Sequence, residues 1–214
     1  TLGDEIQKAS KWSQDIITSK DNPVFKGGSI AVLSGSLAPG CAIIKQSAAT
    51  SELLVHEGKA VVFENLEDLA NRVDSDDLEV TKDDVLVLKS IGPKGGPGMP
   101  EAGLIPIPKK LARQGVKDMV RISDGRMSGT ASGTIVLHVT PESYEKGPLA
   151  VVKNGDLIKL DVPNRKIDLL ISEDELNNRI SQISDNKIKR RGYNKLYMEE
   201  VTQANEGVDF KFLK

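Results

Sequence analysis

The sequence predicts an α/β domain rich in β structure, on three observations. Short aliphatic runs recur along the chain, few segments carry a helical period, and glycine and proline gather in a handful of loops. With aromatic residues at 4% of 214, the core has to be built from Val, Ile, Leu and Ala. A chain of this length buries a real core, as one large domain or one domain with an appendage. The 19 glycines and 10 prolines cluster, which points to a few specialised loops rather than disorder.

The elements follow in order. Residues 4–19 read as a helix, with Asp4 as its cap and Ile6, Ala9, Trp12, Ile16 and Ile17 near helical spacing. Asp21-Asn22-Pro23 ends it. Strands are expected at Ile30–Leu33, Ala42–Ile44, Ala60–Phe63 and Val85–Leu88. Asn65 caps a short helix over Leu66–Val73, with Glu67 and Asp68 favourable in its first turn. A second group of strands is expected at Met119–Ile122, Thr134–Val139, Leu149–Val152, Leu157–Val162 and Ile167–Ile171. Asn154-Gly155 between two of these runs is a hairpin signal. Further helices are expected over 100–113, 173–184 and 192–206, and Ser172 with Glu175 forms a capping-box pattern.

Composition excludes several function classes. A net charge of −2 carries no footprint for nucleic acid, and the basic run Lys187, Lys189, Arg190, Arg191 reads as a solvated helix face. The single cysteine, Cys41, permits no disulfide framework and no thiolate metal site of its own. It also fits a reducing compartment, the cytosol or a mitochondrial matrix. No apolar run approaches the roughly 20 residues of a membrane span, and the opening residues carry no signal-peptide pattern. Thr1-Leu2-Gly3-Asp4 lacks an initiator methionine, so a fragment or processed product is expected.

Three segments are candidates for chemistry. Gly92-Pro93-Lys94-Gly95-Gly96-Pro97-Gly98-Met99-Pro100-Glu101 follows a strand run. Its glycines allow positive φ and close backbone approach, its prolines stiffen it, and it can deliver Glu101 into a site. It reads equally as a linker, with Glu101 an acid at a helix start. Ser123-Asp124-Gly125-Arg126-Met127-Ser128-Gly129-Thr130 continues through Gly133-Thr134 and alternates hydroxyls, a carboxylate and a guanidinium with glycines. Such a loop suits a polyhydroxy acid, with Arg126 on its carboxylate. A serine here serves as a base only if a cation or metal lowers its pKa. The alternative is a Ser/Gly surface turn. The third segment, Gly27-Gly28 and then Ser34-Gly35-Ser36-Leu37-Ala38-Pro39-Gly40-Cys41, is again strand, tight loop, strand. His138 reads as structural within its strand, His56 as exposed, and neither forms a metal pair.

Together these phrases resemble the dihydroxy-acid dehydratase and phosphogluconate dehydratase family. The resemblance rests on GSIAVLSGSLAP at Gly28–Pro39, GPKGGPGMPE at Gly92–Glu101, SDGRMSGT at Ser123–Thr130 and HVTPE at His138–Glu142, followed by Gly155-Asp156. The tail from Arg190-Arg191-Gly192-Tyr193 to Gly207-Val208-Asp209-Phe210 is similar to the sugar-acid branch. The resemblance implies the C-terminal part of a dehydratase that converts a 2,3-dihydroxy sugar acid to a 2-keto-3-deoxy acid. It implies a swivelling β/β/α domain over 21–172, a barrel-like β core flanked by helices. Residues 1–20 would be a helix from the interdomain connection and 173–214 a helical extension. Glu101 would ligate Mg²⁺, Ser128 would remove the C2 proton, Thr130 would assist, and Arg126 would bind substrate. A larger N-terminal domain would hold a 2Fe–2S or 4Fe–4S cluster on three cysteines and most Mg²⁺ ligands. No cluster ligand is expected here, since Cys41 matches none, and the chain alone is expected to be inactive. A homo-oligomer, dimer or tetramer, is expected, with no nucleic-acid or membrane partner. Two other readings remain open: a dihydroxy-acid dehydratase of branched-chain amino-acid synthesis, and a non-catalytic anion-binding module.

Overall fold

The structure, a computed structural model, describes residues 1–8, 16–184 and 191–213. Eight strands are present among them: β1 (Ala31–Leu33), β2 (Cys41–Ile44), β3 (Val55–Phe63), β4 (Val85–Leu88), β5 (Arg121–Ser123), β6 (Ile135–Thr140), β7 (Leu157–Asp161) and β8 (Lys166–Leu169). They form one mixed sheet in the order β1-β2-β6-β5-β4-β3-β7-β8. Its two edges meet where Ser34, just past β1, bridges Lys166 at the start of β8, so the sheet is nearly closed into a barrel. The closure explains the third glycine segment. A Cβ on Gly35 would strike the Ile167 carbonyl and the Asp168 carboxylate, and Ser36 donates its N–H to Asp168 at 2.8 Å. That loop seals a seam.

The burial pattern follows the pairing. The centre, β3-β4-β5-β6, is parallel, and β4 is apolar and buried along its whole length because both of its faces are covered. Val85 and Val87 face the barrel interior with Leu33, Ile44, Ile122 and Ile158, while Leu86 and Leu88 face an outer cluster with Phe63, Leu69, Leu111 and Met119. The antiparallel β7 alternates buried and exposed residues, as a strand with one wet face does.

Five α-helices occur among the described residues: α1 (Leu2–Lys8), α2 (Leu66–Arg72), α3 (Lys109–Arg113), α4 (Glu173–Ser181) and α5 (Gly192–Glu200). Two caps stand where the sequence places them. The Asn65 side chain accepts from the Asp68 N–H, and the Ser172 hydroxyl from the Glu175 N–H.

Several expected elements are different. The helix expected over 100–113 is only α3, because Pro106 and Pro108 have no N–H to donate and bias the residues before them to extended backbone. Glu101 therefore opens no helix. Leu149–Val152 is not a strand but a 3₁₀ turn over Pro148–Val151, started by its proline. Asn154-Gly155 consequently joins no pair of strands; Asn154 caps the N–H of Val62 instead, at 2.6 Å. The β7–β8 hairpin turns through Val162–Arg165, with Arg165 at φ 58°. The last helix breaks at Val201, which turns extended and bridges Phe210, before a 3₁₀ turn at Ala204–Glu206. At the N-terminus α1 is described over Leu2–Lys8 and 16–19 are non-helical; Ala9 and Trp12 lie outside the described residues, as do Lys187, Lys189 and Arg190 of the basic run.

Candidate functional site

Three loops leave the C-terminal ends of the adjacent parallel strands β4, β5 and β6, the end at which open parallel sheets present their sites. They are residues 89–108, 124–134 and 141–147. Two buried carboxylates knit them together. Asp124 accepts from the N–H of Ile91 at 3.0 Å and from that of Ser143 at 2.9 Å. Glu142 accepts from the N–H groups of Lys94 and Gly95, at 3.0 and 2.8 Å, and from the Gln203 amide at 2.6 Å. Burial pushes both carboxyls above the usual range, against the pull of these donors. Asp124 and Glu142 were legible only as members of recognisable phrases; nothing local to them announces a bracing role.

The glycine-rich loop turns on Gly98, at φ 86°, and Met99, at φ 45° and buried. That turn aims the Met99 carbonyl at Arg126, whose Nε donates to it at 2.6 Å. Gly103 then passes so near the second loop that its N–H meets the Arg126 carbonyl at 2.7 Å and a Cβ would lie 2.8 Å from that oxygen. The two loops thereby bring Arg126 and Glu101 together, with NH1 and Oε1 3.5 Å apart and both side chains about half exposed. Two residues further on, the hydroxyls of Ser128 and Thr130 lie 3.1 Å apart. All four expected site residues thus fall on two interlocked loops. The arrangement offers a guanidinium, a carboxylate and a hydroxyl pair at a solvent-facing surface. Such a set can bind an oxyacid and, in the right field, move a proton.

Two sets of contacts, those of Lys45 and Asp118, escaped sequence reasoning. Lys45, just past β2, donates to the Gly129 carbonyl at 2.6 Å, between Ser128 and Thr130. Asp118 binds the hydroxyls of Thr50 and Thr134 and the Arg121 guanidinium, at 2.6, 2.7 and 2.7 Å, where the second loop re-enters β6. His138 sits in β6 at φ 53°, beside a register shift against β2. Its pKa is lowered by burial and then by the charge of Arg126. His56 lies in β3 with Nε2 2.8 Å from the Asp83 carbonyl. Cys41 is half-buried beside the Thr140 hydroxyl.

The residues were tested for fit to a metal or cluster. No group of three or more His, Cys, Asp or Glu side chains converges among the described residues. Glu101, an exposed carboxylate at the end of a stiff loop, fits as one oxygen ligand of a hard cation completed from elsewhere. The lone Cys41 does not fit an iron–sulfur cluster.

Residues 15–208 match the model of the dihydroxy-acid/6-phosphogluconate dehydratase C-terminal domain. A dehydratase of Rhizobium meliloti is 51% identical over 208 residues, 97% of this chain and 36% of that protein. L-arabinonate dehydratase of Rhizobium leguminosarum bv. trifolii is 46% identical over 215 residues, 100% of this chain and 37% of its own length. Dihydroxy-acid dehydratase of Carboxydothermus hydrogenoformans is 43% identical over 213 residues, 98% and 38% respectively. The chain thus spans little more than a third of the length of the relatives it matches.

Proposed function

The chain belongs to the dihydroxy-acid/6-phosphogluconate dehydratase family, as its C-terminal domain, and on that premise we propose that it supplies the proton-removing face of a sugar-acid dehydratase. The reaction turns a 2,3-dihydroxy acid into a 2-keto-3-deoxy acid. The observation that supports this reading is the meeting of the two loops, with Arg126 3.5 Å from Glu101 and Ser128 3.1 Å from Thr130. Ser128 takes the proton from C2 of the substrate, Thr130 shares a hydrogen bond with it and orients the dyad, and Arg126 binds the substrate carboxylate. Glu101 holds Mg²⁺. Bound there, Mg²⁺ would supply positive charge to the site, and a cluster held outside this chain would supply Lewis acidity; overall the C3 hydroxyl leaves as water and the resulting enol becomes the 2-keto acid. A sugar acid is preferred to the branched-chain precursor because Thr130 adds a second hydroxyl beside the base. The chain would work joined to a cluster-bearing N-terminal domain, in a homo-oligomer, within the cytosol or a mitochondrial matrix.

The test is Ser128→Ala in the full-length enzyme. General-base steps contribute about 10²–10⁴-fold, so kcat should fall by that factor with KM little changed, and exchange of the C2 proton with solvent deuterium should stop. Near-normal turnover would place the base elsewhere.

A further inference from the structure

A lone cation on the spine of the second loop carries the inference. Lys45 follows Ile44, the last residue of β2, so the sheet fixes where its stem begins. Its ammonium crosses 84 residues of sequence to the Gly129 carbonyl, at 2.6 Å. This is a charge-assisted bond, among the stronger kinds a side chain can make. A Cβ on Gly129 would meet nothing within 4 Å, so the loop is open on that side, and the preceding carbonyl, that of Ser128, accepts from the Ala131 N–H at 3.0 Å. The neighbouring tether comes from the same segment, since the Gly133 N–H donates to the Ala48 carbonyl at 2.8 Å. Residues 45–48 are therefore the rail along which the loop lies. No carboxylate pairs with Lys45 among the described residues, so its charge is not neutralised locally.

We propose that Lys45 is a positioning residue for proton removal: its ammonium holds the Gly129 carbonyl so that Ser128 and Thr130 face one another, and its charge favours the deprotonated serine. This rests on Ser128 being the base. The carbonyl it grips belongs to Gly129, the residue between the two hydroxyl-bearing ones, so a shift of its peptide with Thr130 moves Thr130 relative to Ser128. A positive charge one residue away stabilises the alkoxide over the alcohol. The other charged groups about the loop are Arg126, Glu101 paired with Arg126, His138 in the field of Arg126, Asp124 at the exit from β5, and Asp118 paired with Arg121 at the return to β6. In the described hydrogen bonds none of these side chains donates to the Gly129 carbonyl, which Lys45 does.

The experiment compares Lys45→Met and Lys45→Arg in the full-length holoenzyme, with Ser128→Ala alongside. Methionine keeps the length of the stem and removes both the donor and the charge. A displacement of about 1 Å in a reacting group costs about 10²-fold, so Lys45→Met should lower kcat by about that factor while KM stays within about threefold. The acid limb of its kcat–pH profile should move to higher pH, because the serine has lost a charge that favoured its ionised form. Lys45→Arg, which keeps a cationic donor, should recover most of the rate and return the limb. Wild-type kcat and pH profile in Lys45→Met would overturn the proposal, as would an equal loss in both variants with an unmoved pH limb and a lowered Tm. If Lys45→Met is silent while Ser128→Ala is inactive, only the role of Lys45 fails. If Ser128→Ala is active, the base assignment fails with it.

Discussion

At the scale of single residues, Glu101 shows why position decides the role of a carboxylate. It has no helix to complement, since the chain stays extended or bent until Lys109, and Arg126 at 3.5 Å is its charged partner. A half-exposed acid at the end of a proline-stiffened loop loses little entropy on binding a cation. Glu101→Gln in the full-length enzyme removes one anionic oxygen and keeps the shape. Mg²⁺ affinity is expected to fall by at least about 10-fold, as losses around metal sites usually do, and turnover to fall with it, while the melting temperature stays within a few degrees. Titration of activity with Mg²⁺ checks this. An unchanged metal requirement would mean that Glu101 serves only Arg126.

At the scale of elements, the second loop is held at each end by a different device. At its exit from β5, Asp124 reaches sideways to the neighbouring loops. At its return to β6, Asp118 gathers Thr50, Thr134 and Arg121, and Arg121 in turn donates to the Ile105 carbonyl at 3.0 Å. For Asp118, burial raises the pKa, but the hydrogen bonds of Thr50 and Thr134 and the charge of Arg121 outweigh it, leaving the carboxyl below its ordinary range. A carboxyl depressed in the folded state adds stability above its unfolded value of about 3.9, and loses it as pH falls through the folded value. Asp118→Asn leaves the buried guanidinium of Arg121 without its counter-charge. At pH 7 the variant should be less stable than the wild type by about 3 kcal/mol, and the gap should narrow as pH drops below about 4. Denaturant titrations at the two pH values measure it, and a gap that does not change with pH would show that Asp118 acts only through neutral hydrogen bonds.

At the scale of the whole molecule, the barrel is a platform that presents four candidate side chains on its loops. Its interior is aliphatic and closed by the seam between β1 and β8, while the polar groups stand at the loop end. The chemistry proposed for it needs a facing surface that carries thiolates. The chain produced by itself is therefore expected to show no iron–sulfur absorbance and no dehydratase activity, since it has one cysteine. Visible spectra and iron content after anaerobic reconstitution check this. Stoichiometric iron with a cluster spectrum would show that the single thiol and other ligands suffice.

What the sequence determined by itself was local. The aliphatic runs of β4 and β6 mark buried strands because a strand covered on both faces has no place for alternation. Asn65 and Ser172 announce helix starts because a cap acts on an N–H only three residues away. The glycine phrases locate the two loops and, through the family resemblance, the four candidate residues on them. The same short-range logic misplaced Leu149–Val152, where one proline outweighs four apolar residues, and Asn154-Gly155, whose turn serves Val62 rather than a hairpin. Tertiary structure alone decided which side chains meet. Lys45 reaches Gly129 across 84 residues, Glu142 reaches Gln203 across 61, and Ser34 bridges Lys166 to close the barrel. Such contacts have no local signature, because whether two distant polar groups pair depends on how the sheet coils and closes between them.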